Sequence, residues 1–436
     1  MTYQKPLDLP MKLTIHRGAK EIGGTCIELQ SASSKILIDF GLPLVDENKE
    51  QFDSKKIKKY TKEDLIQQGV LPQIKGLYKN EDPLIDAILL SHPHQDHYGL
   101  LSFVNPEIPV YMSMGCKELI EASYYFGQTD YDFKNVVTIK AWRPFQKGDF
   151  TITPYLVDHS GFDALAFLIE SEDKKIFYSG DFRGHGRKSV LFKNIIKNPP
   201  DNIDYLILEG SMIGRDEGAY ETEEDIENEL TMLFNKDNLV FMACSSQNID
   251  RLVSIYRACV KSNRIFVIDP YTAFILDKLK KISKNIPQFN WGEHIKVFFV
   301  PNTYTKKMAE DKSLFKFKSA KITYSEIQEL RNRLVIKDSY TTRNIFAKKK
   351  DMSNSVLIYS MWEGYLPDVK PFWDKHNIPI IKVHSSGHAY IEELKQFVKA
   401  IKPKCIIPNH TFYPEKYREY FDGNIKLIKD KETVEL

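Results

Sequence analysis

The stretch SHPHQDHYGL, residues 91 to 100, places His92, His94, Asp96 and His97 within six positions. Imidazoles and carboxylates are the side chains that hold divalent ions such as zinc or manganese. Two histidines at alternate positions of an extended segment point the same way. Asp96 and His97 follow where a helix starts, so one short loop can feed two ions. It completes neither shell, and more ligands must arrive from elsewhere. YLVDHSG puts His159 at the end of an apolar run, FYSGDF does the same for Asp181, and CIIPNHTF for His410. Three imidazoles for one ion, two mixed ligands plus His410 for the other, and a bridging Asp181 complete a two-metal site. Two ions roughly 3.5 to 4 Å apart activate a water and steady both oxygens of a phosphoryl displacement.

Strands must carry these side chains to one place. MKLTIHRG, GGTCIELQ and SKILIDFG read as short strands, and IDAILLSH as a buried strand ending at the histidine cluster. PVYMS is a strand and KELIEASYYF a helix. DFTITPYLVDHS, DALAFLIE, KKIFYSGD and IDYLILEG are four more strand-like runs. Residues 44 to 80 are charged and read as an exposed loop with a short helix. The whole suggests two sheets covered by helices. After about residue 215, EEDIENELTMLF, NLVFMAC, IDRLVSIYRACVKS and RIFVIDP alternate helix and strand, the pattern of an α/β segment with a parallel sheet. HNIPIIKVHSSGHA, YIEELKQFVKAIKP and KCIIPNH then add a strand, a helix and the strand ending at His410. The expected organisation is residues 1–214, an inserted domain over 215–370, and a return over 371–436.

The ordered set of motifs resembles the metallo-β-lactamase fold, whose HxHxDH signature is matched by residues 92 to 97. Asp39 in ILIDFG resembles its first motif, and His159 and Asp181 its third and fourth. Glu209 in LILEGS, His388 in SSGHA and His410 in IIPNHTF resemble motifs A, B and C of the β-CASP branch, which holds RNA- and DNA-processing nucleases, among them the ribonuclease J and cleavage-and-polyadenylation endonuclease groups. The histidine in motif C favours the RNA-processing side. The resemblance covers about residues 11 to 415. It implies an α/β fold, a metallo-β-lactamase αββα sandwich with an inserted β-CASP α/β domain. It implies two divalent ions per chain, zinc first, with manganese or magnesium as alternatives. His92, His94 and His159 would bind one ion, Asp96, His97 and His410 the other, with Asp181 bridging and Asp39 orienting a ligand. A metal-bound water would attack phosphorus in single-stranded RNA. His388 would protonate the leaving oxygen, and Glu209 would orient His388. Exonuclease or endonuclease mode stays open, as motif A reads LEGSMIGR and departs from both subgroups. No KH-like region opens the chain, and no extra C-terminal domain is expected.

Substrate contacts are expected at polar loops. Ser385, Ser386 and Gly387 offer hydroxyls and N–H groups for a phosphate nest, and Arg183 or Arg187 follows Asp181 in FRGHGRK. Ser245, Ser246, Asn248 and Arg251 in SSQNIDR can meet a phosphate, or simply start a helix. His384 divides evenly between substrate contact and packing. His16, His185, His294 and His376 read as local hydrogen-bonding residues. KKIKK at 55–59 and KKK at 348–350 suit RNA attraction or a solvated face alike, and no aromatic stripe marks a stacking platform. Sixty-one basic against 59 acidic residues neither demands nor excludes nucleic acid. Five scattered cysteines suggest free thiols in a reducing compartment. With no signal segment or apolar membrane span, the expectation is a cytoplasmic protein, with a homodimer left open. The competing functions are a small-molecule metallo-hydrolase acting on a lactone, thioester or cyclic phosphodiester, a DNA nuclease, and a noncatalytic nucleic-acid-binding subunit.

Overall fold

The computed structural model describes residues 10–45, 51–171, 174–215 and 222–436. Part of the charged loop expected from residue 44 lies outside them, as do the residues beside the expected boundary at 215. The chain divides into two units. The first comprises residues up to 184, 188–216 and 387–436, and the second 185–187 and 217–386.

Two sheets face each other in the first unit. One has seven strands in the order Thr433–Glu435, Lys12–Arg17, Cys26–Gln30, Lys35–Ile38, Ala87–Leu89, Val110–Ser113, Val136–Ile139. The other has six, in the order Cys405–Asn409, Tyr205–Glu209, Lys174–Tyr178, Leu165–Ser171, Phe150–Leu156, Phe145–Lys147. Successive side chains alternate faces. Ile36 and Ile38 therefore enter the core between the sheets with Phe167, Ile169 and Ile207. Leu37 and Ile88 turn to the opposite face, where the helix Met114–Tyr125 adds Cys116 and Ile120. Leu206 and Leu208 turn outward to Phe192, Leu394 and Phe397 of the helices Ser189–Lys197 and Ile391–Ile401. Burial on both faces is why these strands read as nearly continuous apolar runs, and the result is an αββα sandwich.

The second unit holds a seven-stranded sheet, parallel throughout. Here the structure corrects the expected return at residue 371. The helix Leu366–Lys375 buries Trp373 in this unit's core, and Ile380–Lys382 pairs in parallel with Ser355–Tyr359. These contacts hold residues 371–386 to the second sheet, so the chain re-enters the first unit only at Gly387. No helix of the described residues is long and apolar enough to cross a membrane.

Candidate metal centre

Asp39, His92, His159, Asp181, Glu209 and His410 all lie at or just past the carboxyl end of a strand of the first unit. The strands carrying Asp181, Glu209 and His410 are mutually parallel, which brings those three side chains to one edge of their sheet. On the other sheet, Phe40 N–H donates to His97 carbonyl (2.7 Å), Leu42 N–H to Gln95 carbonyl (2.9 Å), and Thr25 N–H to Asp96 carbonyl (3.2 Å). The DFGL turn is thus zipped along the ligand loop. Gly41 permits it: a Cβ there would sit 1.6 Å from the Asp96 carbonyl oxygen. Gly41→Ala is expected to destabilise the fold by about 3 kcal/mol or more, the upper end of overpacking costs, and to displace Asp96. A melting temperature within a degree of wild type would refute this.

Two ligand groups result. His92 Nε2 and His159 Nε2 each lie 3.2 Å from His94 Nδ1, and the three can hold one ion. That separation suits three corners of a tetrahedron with bonds of about 2.0 to 2.1 Å. Asp96, His97, Asp181 and His410 form the second group. Asp181 Oδ2 is 3.1 Å from His97 Nε2, 3.5 Å from His410 Nε2 and 3.7 Å from His92 Nε2, so it reaches toward both groups.

The donor set fits two divalent cations. His97 Nε2, His410 Nε2 and both Asp181 oxygens are buried without a properly aligned hydrogen-bond partner, a costly arrangement unless a cation meets them. The other nitrogen is engaged on His92, His97, His159 and His410. His159 Nδ1 donates to the Gly387 carbonyl (2.6 Å), His410 Nδ1 lies 3.0 Å from Thr25 Oγ1, and His92 Nδ1 lies 3.0 Å from Ser91 Oγ. The carbonyl partner fixes His159 in the tautomer that leaves its ligand nitrogen unprotonated, whereas His410 Nδ1 also accepts from Gly23 N–H at 3.3 Å. Burial, then neighbouring imidazoles, pushes His92, His159 and His410 well below the ordinary histidine range. Burial lowers His94 to about 4. For His97, burial is outweighed by Asp181, Asp39 and Asp96, which raise it, and burial likewise raises Asp181.

Asp39 is the hub beneath the ligands. Its carboxylate accepts from Ser91 N–H (2.7 Å), Ser91 Oγ (2.8 Å) and Tyr178 hydroxyl (2.8 Å), and pairs with His97 Nδ1 at 2.8 Å. Its backbone is left-handed, with φ 59°, as is that of His410, with φ 53°. Asp and His tolerate this region better than most residues, and such strain collects at functional sites. Ser91, Tyr178 and Thr25 went unread in the sequence. Their positions, beside the first histidine, at the end of the strand leading to Asp181, and in GGTC, were the available signal. Asp39→Asn is expected to weaken metal binding about 10- to 100-fold. Competition with a chromogenic chelator measures this, and an unchanged affinity would contradict it.

A third cluster joins Asp181, Glu209 and His388. His388 Nδ1 lies 3.2 Å from Glu209 Oε2 and 3.7 Å from Asp181 Oδ2, and its ring centroid is 5.1 Å from that of His159. Glu209 also accepts from Phe182 N–H (3.1 Å) and Ser211 N–H (3.2 Å). Burial opposes its charge, but His388 and these amides hold the carboxyl below its ordinary range. Burial would lower His388, and Glu209, then Asp181 and Asp96, raise it instead.

The expected phosphate contacts fare differently. Arg183 is buried with Nε 3.3 Å from Asp158 Oδ1. Arg251 is 0% exposed, paired to Glu223 at 2.8 Å and bonded to Ser360 and, at 3.2 Å, to Ser385 Oγ. A buried guanidinium must be satisfied by carboxylate and hydroxyl partners, so neither arginine presents a phosphate site. Arg187 binds Glu227 and Ser254. Asn248 caps the helix Ile249–Lys261 through Arg251 N–H, and buried Ser246 bonds Thr272 at 2.8 Å. Ser245 stays exposed. Buried Ser385 faces Arg251, as does His384 at 3.3 Å, and the Ser386 carbonyl lies 2.9 Å from His185 Nε2. Gly387 contributes its carbonyl to His159. His16 pairs with Glu28, His294 bonds the Arg264 carbonyl, and His376 lies against Phe372. The five cysteines are buried free thiols.

The sandwich, the HxHxDH loop and the second parallel-sheet unit give this chain the metallo-β-lactamase fold in its β-CASP form. Residues 61–232 match the beta-lactamase superfamily domain, and residues 377–423 the Zn-dependent metallo-hydrolase RNA specificity domain. Among characterised proteins it resembles ribonuclease J. It is 24% identical to ribonuclease J of Helicobacter pylori strain 26695 over 461 aligned positions, covering 98% of this chain and 61% of that one. It is 20% identical to ribonuclease J of Mycoplasma genitalium, covering 92% and 68%. The chain thus spans about three fifths of the length of the Helicobacter relative. A crystal structure of a protein of unknown function from Enterococcus faecalis V583 shares the fold over 98% of this chain, with a TM-score of 0.79 and 23% identity.

Proposed function

We propose that this chain is a metal-dependent phosphodiesterase acting on single-stranded RNA. The observation that carries the reading is the His388–Glu209 pair set beside Asp181, an acid and its orienting carboxylate added to a two-ion ligand set. The similarity to ribonuclease J and the match to an RNA specificity domain support the same substrate.

When bound, two divalent ions supply an activated water and positive charge against the phosphoryl oxygens, with zinc suited to the histidine-rich donor set and manganese or magnesium as alternatives. His92, His94 and His159 would hold one ion and Asp96, His97 and His410 the other, with Asp181 within reach of both groups. Asp39 keeps His97 oriented and its distal nitrogen ready. Glu209 holds His388 by Nδ1, so the proton it gives up comes from Nε2 and goes to the leaving 3′ oxygen of the ribose. The carboxylate also favours the charged imidazole, which keeps that proton available near neutral pH.

A cleavage panel tests the substrate class. Metal-loaded protein is offered single-stranded RNA, DNA of the same sequence, a lactone and a thioester. RNA should be cleaved fastest, with activity lost to a chelator and restored by divalent ions. Turnover of the esters with inert RNA would overturn the proposal in favour of a small-molecule hydrolase.

A further inference from the structure

Parallel strands gather the residues that follow them at one edge of a sheet, the edge where open α/β sheets take ligands. In the second unit the spatial order includes Ile265–Ile268, Leu334–Lys337, Leu239–Ala243 and Ser355–Tyr359 as successive neighbours. Three of these lead directly to aromatic rings. After Ile265–Ile268 comes Tyr271, its ring 5.2 Å from that of Tyr304. Beyond Leu334–Lys337 stands Tyr340, 79% exposed, and beyond Ser355–Tyr359 stands Trp362, 52% exposed. Trp362 lies over Gly364, where a Cβ would come within 2.3 Å of the ring, and edge-on to Tyr365 at 5.1 Å. Between Tyr340 and Trp362, Leu239–Ala243 ends in a polar loop, whose Gln247 side chain donates to the Tyr271 hydroxyl at 2.9 Å.

Cations meet carboxylates along this edge. Lys337 lies 3.6 Å from Asp269, Arg343 pairs with Asp338, and Lys382 with Glu363. These pairs reduce repulsion of an anionic backbone. Rings alternating with hydroxyl and amide groups match a polymer of flat bases on a polar backbone. A protein partner would call for a continuous apolar patch instead.

We propose that this edge is a stacking platform for the bases of single-stranded RNA, with Tyr340 and Trp362 as its principal rings and the Tyr271–Tyr304 pair extending it. The proposal rests on the RNA reading above. Three strand spacings separate Ile265–Ile268 from Ser355–Tyr359, roughly 14 Å, room for more than one base. Stacking is tolerant of sequence, since every base has a π-face.

The test uses the full chain and two probes, fluorescein-labelled oligoadenylate and an abasic ribose–phosphate oligomer of the same length. Tyr340→Ala and Trp362→Ala should each weaken oligoadenylate binding about 5-fold or more, the lower bound for a stacked base. Abasic affinity should not move. Tyr340→Phe and Trp362→Phe keep a ring and should retain most of the affinity. Binding should quench tryptophan emission, and Trp362→Phe should abolish that quench. Wild-type affinity in both alanine variants, or equal loss for both probes, would overturn the platform. A wild-type protein that neither binds nor cleaves RNA removes the RNA reading itself, an outcome distinct from the others.

Discussion

His388→Ala should retain both metal ions and lose about 10²- to 10⁴-fold in RNA cleavage, the range for a positioned general acid. The imidazole lies outside the two histidine-rich groups, with Nδ1 3.2 Å from Glu209 Oε2. Substrate binding should change far less than the rate, because protonation of the leaving oxygen is felt only in the transition state. An RNA with a 3′-bridging sulfur should recover much of the loss, since a thiolate departs without a proton. Single-turnover cleavage of the oxygen and sulfur substrates, with metal content checked, separates the outcomes. Equal slowing of both substrates would remove the acid role, and full activity would remove His388 from the mechanism.

Asp181→Ala should lose metal from both positions and abolish cleavage, with an affinity loss beyond the roughly 10- to 100-fold expected of an orienting partner such as Asp39. The reason is geometric: one carboxylate oxygen lies within 3.7 Å of ligand nitrogens from both groups. In the metal-free proteins, loss of the 3.1 Å Asp181–His97 contact is set against relief of a buried carboxylate, so each metal-free melting temperature is measured first as its own baseline. The difference should appear on adding metal. Ions at 100 times their dissociation constant stabilise the wild type by about 2.7 kcal/mol per ion, and should leave the melting temperature of Asp181→Ala unmoved. Elemental analysis showing full occupancy in the variant would sink the bridging assignment, as would an equal thermal shift.

The ligand set and the substrate contacts were legible to very different degrees. HPHQDH announces itself because four donor groups within six residues have few structural uses. His159, Asp181 and His410 are each marked by the apolar run before them. Arg183 and Arg251 carry no comparable mark. A guanidinium that meets a phosphate and one buried against a carboxylate look alike in a sequence. Their partners, Asp158 and Glu223, are 25 and 28 residues away. Asn248 shows the same ambiguity resolved toward the helix cap. The aromatic edge was unreadable for a further reason: Tyr271, Tyr340 and Trp362 follow three different strands, and no local spacing links them.

By itself, then, the sequence determined the donor chemistry, the strands that end in it, and the change from a two-sheet pattern to alternating helix and strand. These follow from short-range rules: side-chain period, apolar runs and ligand type. Tertiary structure decided what depends on distant partners. It set Asp39 beneath His97 and Ser91, turned His388 toward Glu209, and kept residues 371–386 with the second sheet through the pairing of Ile380–Lys382. It also withdrew two arginines into buried ion pairs. Burial and strand order are properties of the whole chain, and a charged residue's role is set by whichever carboxylate, amide or water the fold leaves beside it.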